Sequence, residues 1–330
     1  MQICSQCILP ETFPGISFNN QGICNHCQHA ERHKTEYEQM TQLDTKFNTL
    51  INQLKGESGY DCVVSFSGGK DSSYLLDLIV NRYSLKPLAV TFDNWFLSEM
   101  AFNNIKSITK SLNISHILVR PPFGLMKKLF REGSNAQLYS KKSLERASTI
   151  CTTCISFVRF ACIRVALEKD IPMVIFGFNP GQIPIRAGIV RTNQNLLKTM
   201  QKAVYVPIKS IVGDEAQSFF LEERHLSSTV RFPYIVNPYA FIDYQEEKIF
   251  SRIKQMGWRE VSDADSNSTN CQLNQYSNLV YFRQYQFHPY SSEIANMVRK
   301  GLLKREEGLR RLTPPQENPM TMKIREQLND

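Results

Sequence analysis

The stretch VVSFSGGKDSS, residues 63–73, constrains the chain more than any other. β-Favouring residues run into two glycines, then Lys70, Asp71 and two serines, after which Tyr74, Leu75, Leu78 and Ile79 take an apolar helical spacing. The order predicts a strand, a tight loop and a helix. A Walker A loop would need glycine at position 64 and Ser or Thr at position 71; the chain has Val64 and Asp71, which excludes that loop. Glycines at such a junction let backbone N–H groups approach phosphate oxygens. The helix N-terminus adds partial positive charge, and Ser67 and Ser72 add hydroxyl donors. Lys70 would add charge, and Asp71 would hold magnesium or orient the loop.

Three further stretches read as strands: PLAVTFDN (87–94), SHILVRPP (115–122) and PMVIFGFNPGQ (172–182). Strands alternating with helical patterns predict an α/β fold built on a doubly wound parallel sheet. A chain of 330 residues with 42% hydrophobic content can bury a substantial core around it. Leu43, Phe47, Leu50, Ile51 and Leu54 form one helical stripe ahead of the first strand. Beyond Lys202 the strand signals thin out. The expected organisation is a cysteine knuckle (1–35), a connecting helix (36–57), a nucleotide-binding α/β domain (58–202) and a mainly helical C-terminal part (203–330).

Six of the nine cysteines sit in three CxxC spacings. Cys4 with Cys7 and Cys24 with Cys27 flank a turn-rich segment holding Pro10, Pro14, Gly15 and Gly22. Two such pairs suit a tetrahedral thiolate site for Zn2+, with His26 and His29 as competing ligands and disulfides as the alternative. Four protein ligands would make the site structural. Cys151 and Cys154 head a helical stretch, where the helix N-terminus would favour their thiolate forms, and Cys271 lies much later. Cys62 and Cys162 read as core residues.

The segment Ser67-Gly68-Gly69-Lys70-Asp71-Ser72 resembles the SGGxDS pyrophosphate loop of the N-type ATP pyrophosphatases, an adenine nucleotide alpha hydrolase-like family. The resemblance implies an ATP site on Ser65, Ser67, Gly68, Gly69, Lys70, Asp71, Ser72 and Asp93, with Lys70 and Asp71 as the catalytic pair and Mg2+ accompanying the nucleotide. Gly177 and Asn179 join that site through a weaker likeness to the GHNxDD segment, in which Phe178 replaces the histidine. A mid-domain CxxC with one remote cysteine is similar to the iron-sulfur tRNA thiolation enzymes of the same family, including the 2-thiouridine type. That likeness implies a [4Fe-4S] cluster on Cys151, Cys154 and Cys271, three thiolates leaving one iron open to sulfide. A second zinc site, or a redox pair with a bystander, are the alternatives.

The implied activity is an ATP-dependent sulfurtransferase that adenylates a carbonyl oxygen of a nucleobase, free or in tRNA, and replaces it with sulfur. The sulfur would come from a donor protein or inorganic sulfide. The thiolation enzymes with a second zinc ribbon carry a C-terminal CxxC pair that this chain lacks, which leans the acceptor toward a free base. The N-terminal stretch also resembles the N-acetyl sugar amidotransferases, which take ammonia from a glutaminase partner; a non-catalytic nucleotide- or RNA-binding module is a third reading. A net charge of +8 is compatible with an anionic partner. The start, MQICSQCILPE, has no basic region followed by an apolar run, and no uninterrupted apolar run approaches a bilayer span, so a cytoplasmic address with no membrane partner is expected. A homodimer is compatible with all of this. His288, between aromatics in FHPY, is a candidate for substrate contact against a structural role.

Overall fold

A computed structural model describes residues 2–29, 33–227, 231–261, 265 and 267–329. The end of the expected knuckle at 30–32 and Ser266, ahead of Cys271, lie outside the described residues. Six strands form one sheet in the order β3-β2-β1-β4-β6-β5. They are β1 (Cys62–Ser65), β2 (Pro87–Phe92), β3 (Ser115–Val119), β4 (Met173–Ile175), β5 (Ile189–Arg191) and β6 (Tyr234–Val236). All neighbours run parallel except β5, which is antiparallel to β6 at one edge.

The central strands are apolar at nearly every position because helices cover both faces of the sheet. Side chains alternate between two cores: Val63 and Val174 face one, while Cys62, Val64, Met173 and Ile175 face the other. The first core holds the helix Thr149–Glu168 through Phe157, Phe160 and Ile163. Among the described residues this is the one helix long and apolar enough to cross a membrane; here it packs on the sheet and carries Cys151 and Cys154. The second core holds the helix Lys70–Asp77 and the connecting helix, expected over 36–57 and found at His33–Leu54, whose Phe47, Leu50 and Ile51 are buried as the stripe predicts.

The sheet does not end at residue 202. Strand β6 comes from the segment read as C-terminal and lies between β4 and β5. Three residues between Pro233 and the Asn237-Pro238 turn are too short to leave a periodic signal. The rest of the C-terminal part is helical, including Glu246–Gln255, Leu273–Tyr285 and Ser291–Arg299. The knuckle packs on it: Phe13 meets Phe287 edge-on at 5.2 Å, and Arg305 donates to the carbonyls of Cys4 and Cys7 at 3.0 Å each.

The chain order reverses between β1 and β4, so the loops after β1, β2 and β4 open together at the carboxyl edge of the sheet. The candidate residues collect there.

Candidate functional site

The glycine loop follows β1 directly. Gly68 has φ +75°, and a Cβ there would lie 2.5 Å from the carbonyl oxygen of Ala101, so only glycine fits. Gly69 caps the helix Lys70–Asp77 without a side chain of its own. Ser72 Oγ ties the loop back on itself, donating to the Gly69 carbonyl at 3.1 Å, accepting from the Ser67 N–H at 3.2 Å and meeting Ser67 Oγ at 3.2 Å. Trp258 Nε1 donates to the Gly68 carbonyl at 2.9 Å. The result is a rigid backbone concavity at a helix N-terminus, which fits a di- or triphosphate.

Lys70 does not reach outward from this loop. Its ammonium lies 3.0 Å from both Asp71 carboxylate oxygens, 3.0 Å from Glu246 Oε1 and 2.9 Å from the Tyr244 hydroxyl. Burial works against its charge, but Asp71 and Glu246 offset that and hold its pKa above the usual lysine value. Glu246 is desolvated too, yet Arg311 and Lys70 bring its pKa down to about 2. Asp71 Oδ1 also accepts from Tyr244 at 2.8 Å. Lys70 and Asp71 thus form a fixed ion pair at the mouth of the loop.

Asp93 is buried. Its Oδ2 accepts from Arg120 Nε at 2.5 Å and its Oδ1 from the Trp95 N–H at 2.8 Å, so both oxygens shape the loop after β2. Gly177 backs the glycine loop: a Cβ there would come within 3.3 Å of Leu75 and 3.7 Å of Ser72 Cα. Asn179 donates to Glu293 Oε1 at 2.5 Å and accepts from the Gly181 N–H at 2.9 Å. Ser65, at the end of β1, hydrogen-bonds Cys162.

Cys151, Cys154 and Cys271 are brought together although 117 positions separate the last two. Asn94 Nδ2 donates to Cys154 Sγ at 3.2 Å and to Cys271 Sγ at 3.4 Å, its orientation fixed by Oδ1 accepting from the Phe96 N–H. Asn274 Nδ2 reaches Cys151 Sγ at 3.6 Å, and Ser277 Oγ lies 3.4 Å from the same sulfur. An antiparallel bridge between Leu97 and Cys271 places the remote cysteine. Burial pushes the Cys154 thiol well above the usual value, with the neighbouring Cys271 adding to it, and burial pushes Cys271 to about 11. This overturns the expected thiolate preference of Cys154, because desolvation outweighs the helix N-terminus. Three half-buried cysteines whose sulfurs meet amide and hydroxyl donors fit a cluster, whose sulfurs accept such hydrogen bonds.

Cys4, Cys7, Cys24 and Cys27 have their sulfurs within 4.8 Å of one another. Cys4 to Cys27 is 3.8 Å and Cys7 to Cys24 is 3.7 Å. A tetrahedron of Zn–S bonds of about 2.3 Å has edges of roughly 3.8 Å, so the geometry suits one zinc ion. The N–H groups of Cys7 and Cys24 donate to Cys4 Sγ at 3.4 and 3.3 Å. His26 packs edge-on against Phe13 and the His29 ring meets the Asn25 carbonyl, so neither joins the four sulfurs. His288 is buried, takes the Tyr290 N–H on Nδ1 at 3.2 Å and is held by burial at a pKa of about 4, an arrangement that suits a structural role.

Several site residues carried no sequence motif. Asn94 directly follows Asp93, and Thr269 stands two positions before Cys271; adjacency was the available signal. Thr269 Oγ1 accepts from the Lys70 N–H at 3.0 Å, laying the Cys271 segment over the glycine loop. Tyr244, Glu246 and Asn274 come from the expected helical C-terminal part, in which no functional motif marks them. Glu293 does too, and burial raises its carboxyl pKa to about 7.

No family model matches the chain. An uncharacterized protein of Methanocaldococcus jannaschii is 22% identical over 314 residues, covering 94% of this chain and 93% of that one. Among solved structures, the U34-tRNA thiolase NcsA from Methanococcus maripaludis, with its [4Fe-4S] cluster, is similar at a TM-score of 0.35 and 15% identity, covering 92% of this chain and 88% of that one. The NH3-dependent NAD synthetase from Campylobacter jejuni follows at 0.33 and 13% identity, over 69% and 84% of the two chains. An NMN synthetase from Francisella tularensis stands at 0.32 and 14%, over 76% and 94%.

Proposed function

We propose that this chain is a cytoplasmic, ATP-dependent sulfurtransferase acting on a carbonyl group of a nucleobase, free or in tRNA. The observation that carries the reading is the convergence of Cys151, Cys154 and Cys271 beside the glycine loop, with Thr269 touching both regions of the chain. In the reaction, the carbonyl oxygen would attack the α-phosphorus of ATP, pyrophosphate would leave, and sulfur would then displace AMP at the carbon.

The loop from Ser67 to Ser72 would hold the leaving pyrophosphate through its N–H groups and hydroxyls. Lys70 and Asp71 would act as a unit: the ion pair holds the Asp71 carboxylate in place to receive Mg2+ with the nucleotide. Cys151, Cys154 and Cys271 would hold a [4Fe-4S] cluster, which when bound supplies an iron without a protein ligand as the site for sulfide. Asn94 and Asn274 would orient those thiolates and stabilise their charge. The four N-terminal cysteines would hold Zn2+ in a structural role, since no ligand position stays open.

The test is anaerobic turnover with ATP, sulfide and candidate nucleobases, nucleotides and tRNA. The expected result is pyrophosphate and AMP formed together with a product in which sulfur has replaced oxygen, abolished in Cys271→Ala. Product formed with ammonia instead, in a Cys271→Ala chain that retains full activity, would contradict it and favour amide transfer to a sugar.

A further inference from the structure

A cavity of about 860 Å³ lies against the site just described. Its walls come from the helix Thr149–Glu168, the loop after β4, the helix Ser291–Arg299 and the knuckle's His26. Thr152, between the two cysteines of the CxxC, lines it, as does Glu293, which feels the charges of Asp71 and Lys70 across the loop. It therefore adjoins the CxxC helix and the neighbourhood of the Lys70–Asp71 pair, though neither the glycine loop nor Cys151, Cys154 or Cys271 lines it.

Its charge is one-sided. Lys142, Arg146, Arg159, Arg186, Arg299 and Lys300 line it, against Glu36 and Glu293. Lys300 pairs with Glu36 at 3.4 Å, while Arg159 has no hydrogen bond or ion pair among the described residues. Burial alone depresses the Arg159 pKa; no carboxylate counters it. Arg299 is held by Asn296, which itself donates to the Gly181 carbonyl at 2.8 Å, yet Arg299 Nη1 is buried with no hydrogen-bond partner. Arg159, half-buried and without a partner, lines one cavity together with Arg299, and a cationic pair so placed calls for an anion. Phe178, stacked on Phe176 at 5.8 Å, lines the same cavity with Ile155, Ile183 and Ile185.

We infer that this cavity binds the acceptor as a small phosphate-bearing molecule of mononucleotide size, its phosphate on Arg159 and Arg299 and its ring against Phe178. The identification of the ligand as the acceptor rests on the function proposed above. The volume lies within the roughly 300–1,000 Å³ of small-molecule sites. These cations sit within a cavity, whereas polynucleotide surfaces spread basic groups over a patch or stripe. Planar guanidinium forks suit phosphate oxygens two at a time.

The test is calorimetric titration of the full anaerobic chain, its loop saturated with a non-hydrolysable ATP analogue, with the ribonucleoside 5′-monophosphates and with the parent nucleosides. At least one monophosphate should bind about tenfold or more tightly than its nucleoside. Arg159→Gln and Arg299→Gln should each lose that advantage with ATP-analogue affinity unchanged, and Arg299→Lys should retain part of it. Melting curves identify a variant that fails to fold, and the other then decides. Equal affinity for every monophosphate and its nucleoside would overturn the inference. So would tRNA binding that both glutamine variants abolish while no mononucleotide binds. Binding needs no turnover: a monophosphate held by Arg159 and Arg299, with no thiolated product from any acceptor, would overturn the function and leave the cavity's ligand class standing. Thiolation unaffected by either variant would do the reverse.

Discussion

The backbone N–H of Lys70 donates to Thr269 Oγ1 at 3.0 Å, so the first amide of the helix after the glycine loop is held by a residue two positions from Cys271. The hydroxyl occupies a place that an anion's oxygen would take, and the glycine loop and the Cys271 segment meet at this contact.

Replacing Thr269 by Val removes the competitor for that amide. One net hydrogen bond is worth about 1 kcal/mol, so ATP affinity should rise roughly fivefold, measured by titration calorimetry. An unchanged or weaker affinity would mean that Thr269 helps to bind the nucleotide.

Cys271→Ala should lose the cluster while keeping the N-terminal ion, because the two cysteine sets share no ligand. Asn94→Ala removes the donor that spans Cys154 and Cys271, and should lower the reduction potential of whatever cluster remains. Iron analysis and potentiometry check the two. Iron retained in full by Cys271→Ala would exclude that ligand.

Glu293 makes stability depend on pH. Its carboxyl pKa rises on folding to about 7, chiefly through burial, so the folded chain binds this proton more tightly than the unfolded one. The ionised form is the unfavourable one. Its penalty sets in as pH rises past the unfolded value of about 4.3 and is complete above about 7. Glu293→Gln should therefore exceed the parent chain in stability at pH 8 by roughly 1–3 kcal/mol, with the gap closing toward pH 4. Denaturant titrations at the two pH values measure this; a gap independent of pH would contradict it.

Cys24→Ser opens the knuckle. Arg305 ties the carbonyls of Cys4 and Cys7 to the C-terminal helices, so loss of the ion should loosen that region as well. A fall of several degrees in Tm and faster amide exchange around Phe13 and Phe287 are expected. An unchanged Tm would show that the apolar contacts hold the knuckle without metal.

Much of this was legible in the sequence because it is local. The glycine loop, both knuckle CxxC pairs and the stripe Phe47, Leu50, Ile51 are each written within a few turns of chain. The Cys271 placement was not: it depends on a bridge to Leu97, 174 positions away. Lys70 was expected to face phosphate, but its ammonium turns to Glu246, supplied by a distant helix. The thiol of Cys154 was expected to ionise from its position on a helix, and burial reverses that. Glu293 and the cations of the cavity carry no motif, since their chemistry comes from burial and from neighbours distant in the chain.

Two different metal sites in one chain are the central prediction. The most direct measurement is iron, zinc and acid-labile sulfide per chain after strictly anaerobic purification and reconstitution. Zinc near one, iron near four and sulfide matching the iron are predicted, from one tetrathiolate ion and one four-iron cluster. Zinc alone, with no iron or sulfide retained after reconstitution, would contradict the assignment of Cys151, Cys154 and Cys271.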